Sequence, residues 1–156
     1  NLLDKTGRID LKEEDKKYLD IILMGYHKLV KFKPKQFWFS LKTKLFKGKK
    51  QIEENTDAYI NAINKYDIKV LTHLNYGIKV NIKRLAKACL EKGVLIELNG
   101  KRISFTQEEI DFMKEIGTKF IVNSDAHRAK KVGETNLGLN FIVTNKIDFK
   151  NVVNIG

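Results

Sequence analysis

The sequence predicts an α/β fold organised on a parallel sheet. Short runs of apolar residues alternate with stretches that carry apolar residues at helical spacing. The links between them are mostly short, as in strand-helix-strand units with right-handed crossovers. All three histidines fall where such an apolar run ends, the edge at which parallel sheets gather their chemistry.

The N-terminal stretch is polar. Asp4-Lys-Thr-Gly-Arg8 has the composition of a turn, and residues 11–19 read as a short helix or loop. Residues 20–27 form the first expected strand, nearly all apolar, the pattern of a strand covered on both faces. Residues 28–50 are a long basic connection in which Pro34 bars a regular helix. A helix is expected over 53–66, with Glu53, Glu54 and Asp57 toward its N-terminal end and a stripe of Tyr59, Ala62, Ile63 and Tyr66. The second strand spans 68–73. Asn81 caps a helix that carries Ile82, Leu85, Ala86, Cys89 and Leu90 on one face and closes at Gly93. Residues 94–98 are the third strand. Thr106 with Glu109 makes a capping box for a helix running to Ile116, stopped by Gly117. The fourth strand is 119–123, a helix follows over about 133–145, and 149–155 is a final strand. Four or five strands suit either an open sheet or part of a barrel.

At 156 residues the chain is a single domain or part of one, with 42% hydrophobic residues. No apolar run approaches the roughly 18 residues of a membrane-spanning helix, and no secretory signal is visible. The one cysteine, Cys89, excludes an internal disulfide framework and fits a cytoplasmic setting. It lies on an apolar helix face, which makes it a core residue and not a nucleophile. The first residue is Asn1 and no strand closely precedes the first apolar run, so a fragment is expected.

Net charge is +11, unevenly placed. Between Lys31 and Lys50 stand eight lysines and no acid, and without those eight the chain carries only +3. Phe32, Phe37, Trp38, Phe39 and Phe46 interleave with them. Lysines among aromatics suit nucleic acid, with ammonium groups on phosphates and rings under bases. They equally suit a membrane surface or closure over a small anionic substrate. A solvated lysine face whose aromatics pack inward is the fourth reading, and the sequence leaves all four open.

The densest chemistry is Lys119-Phe-Ile-Val-Asn-Ser-Asp-Ala-His127. In extended chain, Asp125 and His127 project to the same side, as a metal-ligand pair would. The plainer reading is a helix-capping aspartate and a surface histidine. His27 and His73 end two other apolar runs, and three imidazoles in one structural position argue for one shared site. Imidazole and carboxylate together suit zinc, manganese or iron better than magnesium alone. Lys101, Arg102 and Arg128 follow strand ends, where each either holds a phosphate or is a solvated cation.

Gly25-Tyr-His27, Thr72-His73, Glu97-Leu-Asn99 and Ser124-Asp-Ala-His127 followed by Val132-Gly133 resemble, in order, the later motifs of the PHP (polymerase and histidinol phosphatase) superfamily of metal-dependent phosphoesterases. The resemblance runs from about residue 20 to the C-terminus and is nearest to histidinol-phosphatase-like hydrolases. It implies the C-terminal part of a distorted (β/α)7 TIM-like barrel with parallel strands, so residues 1–156 would be a partial PHP domain. It implies divalent metal ions (Zn, Mn or Fe) at three positions. His27 and His73 would share one with a glutamate from an earlier strand. Asp125 would bind a second with that glutamate and a His-x-His pair, and His127 a third with further early histidines. Glu97 and Asn99 would lie in a supporting layer or near substrate. The expected reaction is hydrolysis of a small phosphomonoester by metal-activated water. A nucleic-acid-associated module, or an inactive remnant with a partial metal site, are the alternatives. The departure is that no His-x-His occurs and no histidine precedes His27. A complementing N-terminal segment or a homo-oligomer is therefore an expected partner.

Overall fold

A computed structural model describes residues 1–27, 39, 41–43, 45, 46 and 48–155. Among these, four strands, β1 (Leu23–Met24), β2 (Val70–Leu71), β3 (Leu95–Asn99) and β4 (Phe120–Asn123), form one parallel sheet in the order β1-β2-β3-β4. Helices among the described residues include α1 (Lys49–Lys65), α2 (Ile82–Lys92), α3 (Gln107–Glu115) and α4 (Asn136–Thr144). Spatial order follows chain order in both layers. Each strand pairs with the next, α1 packs on α2, and α2 packs on α3. The sheet is not closed. No helix among the described residues is long and apolar enough to cross a membrane.

The two faces of the sheet differ in chemistry. Residues opposite one another in register point to the same side, and successive residues alternate. Met24, Leu71, Ile96 and Phe120 form one row across all four strands, and every member is buried. Leu98 and Val122 continue that face, and Gly138 of α4 sits on it so closely that an added Cβ would come within 2.7 Å of Val122. The other face carries Leu23, Val70 and Leu95, then the opposed residues Glu97 and Ile121, then Asn99 and Asn123. At β1 this second face is open: Leu23 is 45% exposed, with Ile21 and Leu19 in line with it. The first strand is therefore not covered on both faces, as its all-apolar sequence predicted, and its ladder is two residues long instead of eight.

Other boundaries shift for local reasons. α1 begins at Lys49 with Gly48 as its N-cap, so Lys49 and Lys50 belong to the helix and not to the preceding loop. The acids expected at its start lie one turn in and serve another purpose. Glu53 and Asp57 both bind Arg84 of α2, at 2.7 and 2.5 Å. Residues 13–18 form a 3-10 turn. The last helix starts at Asn136, since residues 129–131 make a separate 3-10 turn before it. The expected final strand is a 3-10 turn over 149–151, followed by a single parallel bridge from Val152 to Phe120. The cap signals hold: Asn81 accepts from Arg84 N–H, Gly93 takes a left-handed φ of 65°, and Thr106 with Glu109 closes a full capping box. Cys89 is buried in α2, where burial pushes its thiol up to about 12.

Most of the basic connection, including Lys31, Lys33, Lys35, Phe32, Phe37 and Trp38, lies outside the described residues, and with it the expected nucleic-acid contact. Of its described residues, Phe39 is buried edge-on against Tyr26, while Phe46 and Lys42 are exposed.

The N-terminal turn is fastened to α1. Gly7 adopts φ +78°, and a Cβ there would meet Ala62 N at 2.4 Å. Asp4 organises the turn: its carboxylate accepts from Thr6 N–H at 2.9 Å, Thr6 Oγ1 at 2.7 Å and Arg8 Nε at 2.6 Å. Burial opposes ionisation of Asp4, but these hydrogen bonds and the Arg8 charge outweigh it and hold the carboxyl below its usual range. Folding therefore favours the carboxylate. That contribution is complete above roughly pH 4 and is lost as the pH falls through the lowered value. Asp4→Asn is expected to lower the urea midpoint at pH 7, and the difference from wild type to vanish toward pH 2.

Candidate active site

Beyond the last ladder bond of a parallel strand, backbone groups need new partners and the chain must turn. At the C-terminal edge of this sheet that region holds His27, His73, Asn99, Lys101, Arg102, Asn123, Asp125 and His127. Two of them adopt left-handed backbone unusual for non-glycine residues: His73 at φ +34° and Asp125 at φ +49°. Such conformations cost on the order of 1–3 kcal/mol each and cluster at functional sites.

His27 and His73 face each other edge-to-face, with ring centroids 4.8 Å apart. Their approach depends on Gly25. A Cβ on Gly25 would lie 2.4 Å from Thr72 Oγ1 and 2.5 Å from His73 Cε1. His27 Nδ1 donates to Asn1 Oδ1, which leaves Nε2 with the lone pair. Partial desolvation holds His27 below the ordinary imidazole range, helped by the neighbouring His73, while Asp125 and Asp10 pull the other way. The neutral ring this favours at pH 7 is the form that binds a metal. His73 Nδ1 is buried and has no hydrogen-bond partner among the described residues. An orphaned buried ring nitrogen of this kind calls for a further ligand.

Asp125 and His127 come together by a different geometry from the one their spacing suggested. β4 ends at Asn123, and Asp125 is in a left-handed turn instead of extended chain. The turn folds His127 back, so its Nδ1 lies 2.9 Å from the Asp125 carbonyl and 3.8 Å from Asp125 Oδ1. Lys101 joins them, its Nζ 3.4 Å from Asp125 Oδ2 and 2.5 Å from His127 Nδ1. One Nδ1 serves one of these contacts at a time, donating to the carbonyl or accepting from the ammonium.

A cavity of about 290 Å³ joins the two groups, lined by His73, Tyr76, Asn99, Lys101, Arg102, Asp125 and His127. Tyr76 is the member that the sequence reading missed. It stands edge-on to His73 at 5.9 Å and under the Arg102 guanidinium at 5.1 Å. A lone tyrosine after a turn gives no signal of this in the sequence. Asn99 shapes the wall: its Oδ1 accepts from the backbone N–H of Lys101 and of Arg102, at 2.8 and 3.2 Å. Glu97 is buried beneath, held by protein donors. Arg128 lies apart, exposed at the head of the 129–131 turn and outside the cavity.

His73 with its orphan nitrogen, and the Asp125–His127 pair, fit a divalent metal as partial donor sets. Among the described residues, no three of His, Cys, Asp or Glu converge on one point. A catalytic zinc typically takes three protein ligands. The donors of the described residues are thus fewer than a closed shell needs.

No family model matches the chain. It is similar to several bacterial proteins named probable phosphatases. One from Caldanaerobacter subterraneus subsp. tengcongensis is 30% identical over 142 residues, covering 85% of this chain and 50% of the relative. One from Thermoanaerobacter sp. is 31% identical over 142 residues, with 85% and 52% covered. One from Shewanella frigidimarina is 28% identical over 153 residues, with 92% and 55% covered. The chain spans about half the length of these curated relatives.

Gly25→Ala is expected to push the His73 ring away from His27 while the fold survives, at a cost of about 1–3 kcal/mol for overpacking. Loss of the cross-peaks between the two imidazoles in nuclear Overhauser spectra, with the far-ultraviolet dichroism unchanged, checks this.

Proposed function

We propose that this chain forms part of the active site of a metal-dependent phosphoesterase of PHP type, acting on a small phosphomonoester. The observation that carries the reading is the shared cavity, which imidazole and carboxylate donors line together with two cations, Lys101 and Arg102. The names of the similar proteins support the phosphatase part of it. The open sheet and the incomplete donor sets fit a barrel whose remaining strands and ligands come from elsewhere, in a longer chain or a partner.

Divalent metals, one held by His27 with His73 and another on the Asp125–His127 side, would lower the pKa of bound water to roughly 7 and offset phosphate charge. The chain's own residues do the rest. Arg102 presents a planar fork suited to two phosphate oxygens, braced by Tyr76. Lys101 adds a point charge whose direction is set by Asp125 and by the Asn99-anchored backbone. Tyr76 and Arg102 together give the leaving-group side of the substrate a flat wall.

The test is hydrolysis of p-nitrophenyl phosphate by the full-length protein, freed of metal and then given Mn²⁺ or Zn²⁺. Turnover that returns with metal is expected. His73→Ala is expected to lower kcat/KM at least about 100-fold. Lys101→Ala is expected to act chiefly on KM, by about tenfold for one charge-assisted hydrogen bond. Turnover that persists undiminished after chelation, or none with any of these metals, overturns the proposal.

A further inference from the structure

We infer that Glu97 is the positioning residue that sets the His73 imidazole against His27; this goes beyond the proposed reaction and rests on it only where cation binding is concerned. Glu97 is 5% exposed, yet its carboxylate meets no cation among the described residues. Its partners are three N–H donors from three strand ends. Oε2 accepts from the His73 backbone N–H at 2.7 Å and from Asn99 Nδ2 at 3.0 Å. Oε1 accepts from Asn123 Nδ2 at 3.1 Å.

The first of these contacts matters most. The ladder between β1 and β2 runs out at Thr72, whose N–H reaches Met24 O. The next amide, that of His73, faces β3, but the ladder between β2 and β3 ends at the pair Leu71 and Ile96, and at φ +34° this donor would otherwise stay unpaired. Glu97 supplies the missing acceptor from the neighbouring strand. It thereby fixes the backbone that aims the His73 ring past Gly25 toward His27. A carboxylate is the group this geometry requires, because it offers two acceptors and no donor. The amide of a glutamine would turn an N–H toward either Asn123 or the His73–Asn99 pair. Asn99 carries the effect further, since it binds Glu97 with Nδ2 and holds the Lys101–Arg102 backbone with Oδ1.

Glu97→Gln in the full-length protein tests this, with Ile142→Val, a buried change in α4, whose Gly138 packs on the sheet face opposite Glu97, as a control for general destabilisation. Two readouts are needed. In Zn²⁺ titrations by calorimetry, Glu97→Gln is expected to weaken binding by about 10- to 100-fold, the usual effect of losing a group that orients a ligand, while Ile142→Val leaves it within about twofold of wild type. In nuclear magnetic resonance of the metal-free protein, Glu97→Gln is expected to move the His73 amide proton upfield and to erase the His27–His73 ring cross-peaks. Wild-type affinity in Glu97→Gln, or an equal loss in Ile142→Val, overturns the inference. If wild type binds no Zn²⁺, the metal reading fails separately. The ring cross-peaks then decide the positioning role: their survival in Glu97→Gln sinks it, and their loss sustains it.

Discussion

Hydrogen bonding at the end of a parallel sheet is the constraint on which the rest of this structure depends. Inside the ladder the backbone groups that face a neighbouring strand have partners supplied by geometry. Past its last rung the donors must find side chains, or water, or stay unpaired at a cost of about 1–3 kcal/mol each when buried. Here the side chains that meet this demand belong to Glu97, Asn99 and Asn123, which sit on one face of the adjacent strands β3 and β4. Glu97 accepts at the end of β2, and Asn99 accepts from the turn after β3. The groups that satisfy the edge are therefore the groups that hold the backbone of His73, Lys101 and Arg102.

The sheet divides this labour between its faces. One face is a buried apolar row, from Met24 to Phe120, with helices against it, and it supplies the rigidity. The opposite face carries the polar residues of the site and, at β1, half-exposed leucines and isoleucines. An apolar strip of this sort is costly to leave in water. It is in keeping with similar proteins about twice as long as the stretch they share with this chain.

Much of this was legible in the sequence, and the reasons are local. The 81–93 helix carries its own start and stop signals, so its bounds differ by a single residue at most from those expected. The Thr106–Glu109 box did the same for α3. Strand ends were found to within a few residues because apolar runs stop where the sheet stops. Four features escaped, the first being the strand expected over 149–155, which is a 3-10 turn followed by a single bridge. The apolar run over 20–27 carried no sign that one of its faces is uncovered, since burial depends on neighbours the run does not contain. The Asp125–His127 spacing suggested extended chain, whereas the pair closes through a left-handed turn that sequence spacing does not encode. Tyr76 enters the cavity through the turn after His73, a placement set by tertiary contact with Arg102.

The charges at the site follow from the same economy. Asp125 and Lys101 are each partly solvent-exposed, so their 3.4 Å contact is a weak and movable pairing by itself. What makes it specific is that both ends are anchored from below: Lys101 through its backbone to Asn99, and Asp125 by its own strained turn. A flexible ammonium on a fixed base can leave a carboxylate for a phosphate oxygen at little cost, because it exchanges one anion for another. Arg102 has no such exchange to make. It lies over Tyr76, facing the cavity with its fork already oriented. In the proposed reaction the two cations would divide the work between a mobile charge and a fixed one, and the buried Asn99, touching neither charged head, anchors the backbone from which both start.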